Sequence, residues 1–194
     1  MRGKCLAAFV ALAALAHAQP VSWHIDPLHS QADFSVKHMM ISTVRGHFGG
    51  VKGTIVYDAK NPAASTVVAT IDCSTVDTGE PKRDADLKSA EFFDVKKYPV
   101  MKFHSTHVNV IGPGKLRVDG TLTINAITLP VVLTVEGPVG PIKDTQGREK
   151  LGLNATTQVS RKAYGILYNP LMETGGVAVS DEVSISLDIE LIRN

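Results

Sequence analysis

Six histidines lie beyond the first eighteen residues: His24, His29, His38, His47, His104 and His107. Imidazole is the commonest metal ligand and general base, so histidine spacing is the first test of chemistry. His104-x-x-His107 would be a ligand pair on a helix. On an extended strand, residues three apart point to opposite faces, so the spacing predicts no shared metal site there. Serine, histidine and aspartate are all present, but no G-x-S-x-G run supplies a nucleophile elbow. Asp84 and Asp86 stand two apart on a segment of helical character and do not face each other, which argues against a carboxylate acid–base pair. The adjacent Arg83 and Asp84 predict an ion pair or a cap tying their segment to its surroundings, or else a contact to a ligand head group. Cys73 is in phase with Ile71 and reads as a small buried hydrophobe, with a redox role or a disulfide-linked dimer as the alternative. No catalytic residue and no metal ligand emerges from this reading.

Bulk properties narrow the classes further. The chain has 194 residues, enough for one domain with a sizeable core. Met1 to Lys4 is basic, Cys5 to Leu15 is an apolar run, and Ala16-His17-Ala18 is an A-x-A cleavage signal. This predicts a secretory leader over 1–18, cleaved after Ala18, and a mature domain over 19–194, exported to a bacterial periplasm or secreted. Of 20 Lys and Arg, Arg2 and Lys4 leave with the leader; the remaining 18 against 19 Asp and Glu give a formal net charge of −1. That balance excludes the clustered basic excess of a nucleic-acid surface. Cys5 leaves as well, so Cys73 has no partner for an internal disulfide.

The elements that would position any site are mostly strands. Ala32, Phe34, Val36 and His38 share one face of a run. So do Val67, Ala69, Ile71 and Cys73, and then Met101, Phe103 and Ser105. The same two-residue period continues through Leu116–Ile124, Ile127–Val135, Leu151–Val159 and Val183–Leu191. Val44 to Asp58 carries Gly46, Gly49, Gly50 and Gly53 and reads as one long curved strand or a hairpin. Strict alternation means one dry face and one wet face. With a single helical stretch available, the sheet must cover its own dry face, and closing into an antiparallel barrel does this while removing the edges. The exception is 76–106. Pro81 suits a first helical turn, Arg83 to Ala90 are helix formers or charged, and Phe92-Phe93 follow. A short helical insert over about 81–93 is expected at the barrel's mouth. The inward residues are mostly aliphatic, which favours a slot for an apolar, elongated ligand.

These residues resemble the YceI family of secreted, lipocalin-like, polyisoprenoid-binding proteins. The likeness spans the mature chain. Its most specific part is Asp77-Thr78-Gly79, Arg83-Asp84, Leu87, Ser89, Phe92-Phe93-Asp94, Tyr98-Pro99, Phe103 and Ser105. Phe34-Ser35-Val36-Lys37-His38, Val44-Arg45-Gly46-His47-Phe48, Leu122-Thr123-Ile124 and Arg161 with Tyr164-Gly165 support it. The resemblance implies an all-β, eight-stranded antiparallel barrel holding a long isoprenoid-type lipid, such as a polyprenyl or quinone tail, and no catalytic residues. The expected ligand contacts are Phe34, Val36, Phe48, Ile71, Arg83, Phe92, Phe93, Phe103, Leu122, Leu133, Tyr164 and Ile185. No cofactor is required beyond that lipid. The partners in view are the lipid, a membrane touched in passing and a second copy of the chain. Two positions depart from the family pattern. Asp86 replaces a common histidine and is expected to set a carboxylate near the mouth, favouring a neutral-headed lipid. Ala126 replaces a common glycine. A stress-response module without a ligand, and an enzyme using histidines on a lipid-like substrate, are the alternative functions.

Overall fold

Strand β1 (Val21–Ile25) and strand β2 (Gln31–His38) follow one another along a single rail, interrupted at 26–30. Strand β3 (Ser42–Phe48) returns beside β2, and β4 (Lys52–Tyr57) continues it beside β1. The glycine-rich run is therefore one curved strand broken at 49–51, where Gly50 takes a positive φ. The remaining strands are β5 (Thr66–Asp72), β6 (Val100–Gly112), β7 (Lys115–Ile124), β8 (Ile127–Lys143), β9 (Glu149–Ser160) and β10 (Val179–Arg193). Each pairs antiparallel with the next, and β10 pairs back onto both β1 and β2. Ten strands thus form eight rails of a closed antiparallel barrel. This computed structural model describes residues 20–170 and 178–194, so the expected leader lies outside the described residues. No helix among them is long and apolar enough to cross a membrane.

The period of two holds along most rails and fails at one informative place. In β6, Ser105 pairs with Gly120 and His107 with Asp119, leaving Thr106 as an extra residue. A bulge of this kind flips the phase of everything after it. Phe103 and Ser105 face inward before it, and Val108 does so after it. His104 and His107 consequently both face outward and are exposed, which corrects the expectation that they point to opposite faces. Among the described residues they form no cluster with a third ligand.

Burial follows the alternation. One core cluster is built around Trp23, Ile25, Phe48, Leu151 and Leu191, and a second around Val108, Val118, Leu133, Val135 and Ala155. Leu191 is the most buried, at 1% exposure. The kink between β1 and β2 is pinned from outside the barrel. Lys150 Nζ lies 3.1 Å from Asp26 Oδ2 and 2.5 Å from Glu190 Oε1, and His29 Nδ1 lies 2.9 Å from Asp26 Oδ2. Ser30 adds bonds to the Glu190 backbone in both directions. Burial, the largest influence on the Asp26 carboxyl, pushes it up; bonds from His29, the Leu28 N–H and Lys150 outweigh this and hold it at about 2.

Candidate functional site

Between the two core clusters the barrel is hollow. The cavity is about 260 Å³, and the surface it presents is apolar throughout. Both clusters line it: Val118, Leu133 and Ala155 from one, Phe48, Leu151 and Leu191 from the other. A hollow of this size does not separate two cores by chance packing, since protein interiors rarely leave voids larger than a water molecule. Small residues make room where strands approach closely. A Cβ at Gly120 would fall 2.6 Å from the His104 carbonyl oxygen and from the Phe103 ring, so only glycine lets Phe103 lie along the wall.

The insert lids one end. Helix α1 spans Pro81–Lys88, shorter than the expected 81–93. It ends because Ser89 turns extended, after which Phe93 N–H reaches the Leu87 carbonyl and Asp94 N–H the Ser89 carbonyl. These turns, with Asp94 at positive φ, tip both phenylalanines inward. Phe93 meets Phe48 edge-on, Phe48 leans on Phe34, and Phe92 meets Tyr168 at a tilt, ring centroids 5.0 Å apart. Asn125, in the turn between β7 and β8, donates to the Phe92 carbonyl at 2.6 Å. No residue of the helix is fully buried; half-buried Leu87 packs against the core and lines the cavity, and polar latches hold the rest. Thr78 Oγ1 donates to Asp84 Oδ1 at 2.6 Å and accepts from Arg83 Nε at 2.8 Å, while Arg83 Nη2 donates to the Thr78 carbonyl. Asp77 in turn pairs through its backbone with His47 of β3.

Eleven of the twelve expected contacts line this hollow: Phe34, Val36, Phe48, Ile71, Phe92, Phe93, Phe103, Leu122, Leu133, Tyr164 and Ile185. Arg83 does not. Its guanidinium is spent on Thr78, so the arginine positions the lid rather than facing the lumen. Asp86, expected near the mouth, is exposed on the lid helix and does not line the lumen. Sequence reasoning missed Thr78, Asn125 and Tyr168 as holders of the lid, because their partners are 5 to 76 residues away in the chain. Arg161 entered the sequence reading only as part of the family likeness. It is 7% exposed and donates to the carbonyls of Ser180, Ile166, Tyr168 and Val179, stitching 166–168 to the start of β10. Burial lowers its basicity, with Asp181 opposing. Cys73 is buried at 2% exposure, and burial pushes its thiol up to about 11, which leaves it unreactive.

Among the described residues one group offers three metal-ligand types together, Asp26, His29 and Glu190, with ligand atoms within 4.8 Å of one another. The Lys150 ammonium already sits between the two carboxylates and compensates their charge. It lies on the outer wall, away from the lumen lining.

The YceI-like domain model matches residues 23–191. The protein belongs to the YceI-like family. Among its YceI-like relatives, a UPF0312 protein of Vibrio cholerae is 34% identical over 161 residues, covering 83% of this chain and 85% of the relative. The crystal structure of Burkholderia cenocepacia BcnA superposes with a TM-score of 0.73 at 23% identity, covering 86% of this chain and 98% of that one. A polyisoprenoid-binding domain from Saccharophagus degradans, 13% identical, superposes with a TM-score of 0.61 over 90% of this chain and 99% of its own. These structures share the YceI-like barrel.

Proposed function

We propose that this protein is an exported lipid carrier that holds the hydrocarbon chain of an isoprenoid-type amphiphile inside its barrel. The observation that carries this reading is the lidded, wholly apolar cavity of about 260 Å³. A surface without polar atoms gives a ligand nothing to hydrogen-bond, so affinity comes from hydrocarbon removed from water, about 0.8 kcal/mol per buried CH₂. The binding of a polyisoprenoid by the Saccharophagus degradans domain of the same fold supports the choice of ligand class. The leader read over 1–18 supports export to a periplasm. The cavity is just under the roughly 300–1,000 Å³ typical of small-molecule sites. The portion of chain held inside is therefore short, and the remainder of a longer tail extends beyond the lumen. Mass spectrometry of organic extracts from the purified protein tests the reading. A co-purifying isoprenoid lipid near one equivalent is expected. An empty protein that also takes up no added prenol or quinone overturns it.

A further inference from the structure

The barrel wall is open along one seam. The ladder between β8 and β9 runs from Lys143–Glu149 to Thr134–Thr156 and stops. Beyond that point β8 stays paired to β7 as far as Ile127, and β9 stays paired to β10 as far as Ser160. Residues 127–133 and 157–160 therefore run side by side without pairing to each other. The comparable split between β3 and β5 is closed by the His47–Asp77 backbone pair; among the described residues this one has no such bridge. A groove on the outer wall follows the seam, and Phe34, Val131, Thr157, Val159, Tyr164 and Ile185 line both the groove and the lumen.

We propose that this seam receives the polar end of the ligand, that the Tyr164 hydroxyl hydrogen-bonds it, and that this end is uncharged. The inference rests on the lumen being the site of the hydrocarbon chain. Tyr164 is 2% exposed, yet its hydroxyl has no hydrogen-bond partner. It is not sealed away either: the one sealed, unpartnered side-chain polar atom among the described residues is the Trp23 indole nitrogen. Since no polar atom contributes to the lumen surface, the hydroxyl opens on the groove side. Burial raises the Tyr164 pKa, so the group is a neutral phenol that donates and accepts one bond. Unpaired backbone N–H and C=O groups of the two strand edges offer further bonds, and such groups require partners when water is displaced. Among the described residues no buried cation stands free for an anionic head. The nearest buried one, Arg161, spends its guanidinium on four backbone carbonyls. Arg45 lines the groove from an exposed position, and Asp33 lines it too, so the groove carries no net charge.

Calorimetry with three probes of equal chain, farnesene, farnesol and farnesyl monophosphate, tests this. Farnesol is expected to bind about 3- to 10-fold tighter than the headless farnesene, the worth of one neutral hydrogen bond. Tyr164→Phe should abolish that advantage, so that the variant binds farnesol no tighter than it binds farnesene. Hydrogen exchange should slow in 127–133 and 157–160 when farnesol is added to the wild-type protein. Equal affinity for farnesol and farnesene, retention of the farnesol advantage by Tyr164→Phe, or tightest binding of the phosphate would each overturn the proposal. If neither farnesene nor farnesol binds, the lumen reading itself fails; if farnesene binds and the head-group differences are missing, only the seam assignment fails.

Discussion

Phe93 stands edge-on to Phe48, ring centroids 5.3 Å apart and planes at 89°. The contact joins the lid to the barrel wall, because Phe48 belongs to β3 and Phe93 to the turns after α1. Edge-to-face pairs contribute about 0.5–1.5 kcal/mol beyond the area they bury. Phe93→Ala should therefore destabilise the protein by about 2 kcal/mol, less than the roughly 3–5 kcal/mol of a fully buried ring, since Phe93 is only half-buried. Denaturant unfolding measures the loss, and release of a bound fluorescent prenol should accelerate at the same time.

Thr78 holds α1 through one hydroxyl that bonds Asp84 and Arg83 together. Thr78→Val keeps the shape and removes both bonds, leaving a carboxylate and a guanidinium short of a partner. The cost should be about 1–3 kcal/mol and local to the lid. Hydrogen exchange over 81–98 should rise while the barrel strands stay protected. Thr78→Ser, which keeps the hydroxyl, should restore protection.

Asn125 and Ala126 form the two-residue turn between β7 and β8, with φ of 49° and 64°. Turns of this hand need positive φ at both central positions, which glycine adopts freely and alanine does not. Ala126→Gly should raise stability by about 0.5–1 kcal/mol, after allowing for the greater freedom glycine gives the unfolded chain. A rise in melting temperature without a change in ligand affinity is the expected result.

The cluster at the β1–β2 kink sets a pH window. The Asp26 carboxyl falls from an ordinary 3.8 to about 2, so its contribution is present above 3.8 and is lost as pH drops toward 2. Integrated over that interval it is worth about 1–2 kcal/mol. Lys150 is raised above its ordinary 10.5, chiefly by the bond to Glu190, so its contribution holds below that value and is lost at higher pH. Unfolding free energy should fall on the acid side from about pH 4. Asp26→Asn should flatten that limb. Lys150→Met, which strands two carboxylates, should cost about 3 kcal/mol at neutral pH.

Filling the hollow separates binding from folding. Leu133 is 9% exposed and lines the cavity. Leu133→Phe extends a ring into a space of about 260 Å³ that has room for it. Prenol affinity should drop at least tenfold, while the melting temperature of the empty protein stays level or rises.

Much of this arrangement was legible in the chain. The inward positions of β5, β7, β9 and β10 could be read off by counting in twos, which is why Ile71, Leu122 and Ile185 line the hollow. Phe92 and Phe93 were legible because adjacent aromatics after a helical stretch have nowhere apolar to go except the barrel. Counting failed at Thr106, since nothing in the local sequence marks the extra residue; the bulge follows from where β6 must meet β7. Charge alone misplaced Arg83 among the ligand contacts, whereas its guanidinium bonds Thr78 and ties the insert to its surroundings.

The sequence by itself determined that one face of every rail is aliphatic and that a single aromatic-ended insert interrupts them, because both are properties of neighbouring residues. Only the tertiary structure decided that the core divides around a cavity, that the ladder between β8 and β9 ends at Thr134–Thr156, and that Tyr164 keeps its hydroxyl unpaired beside that seam. Such features depend on how far eight twisted strands can stay in register while closing a ring, and that is settled by contacts between residues far apart in the chain.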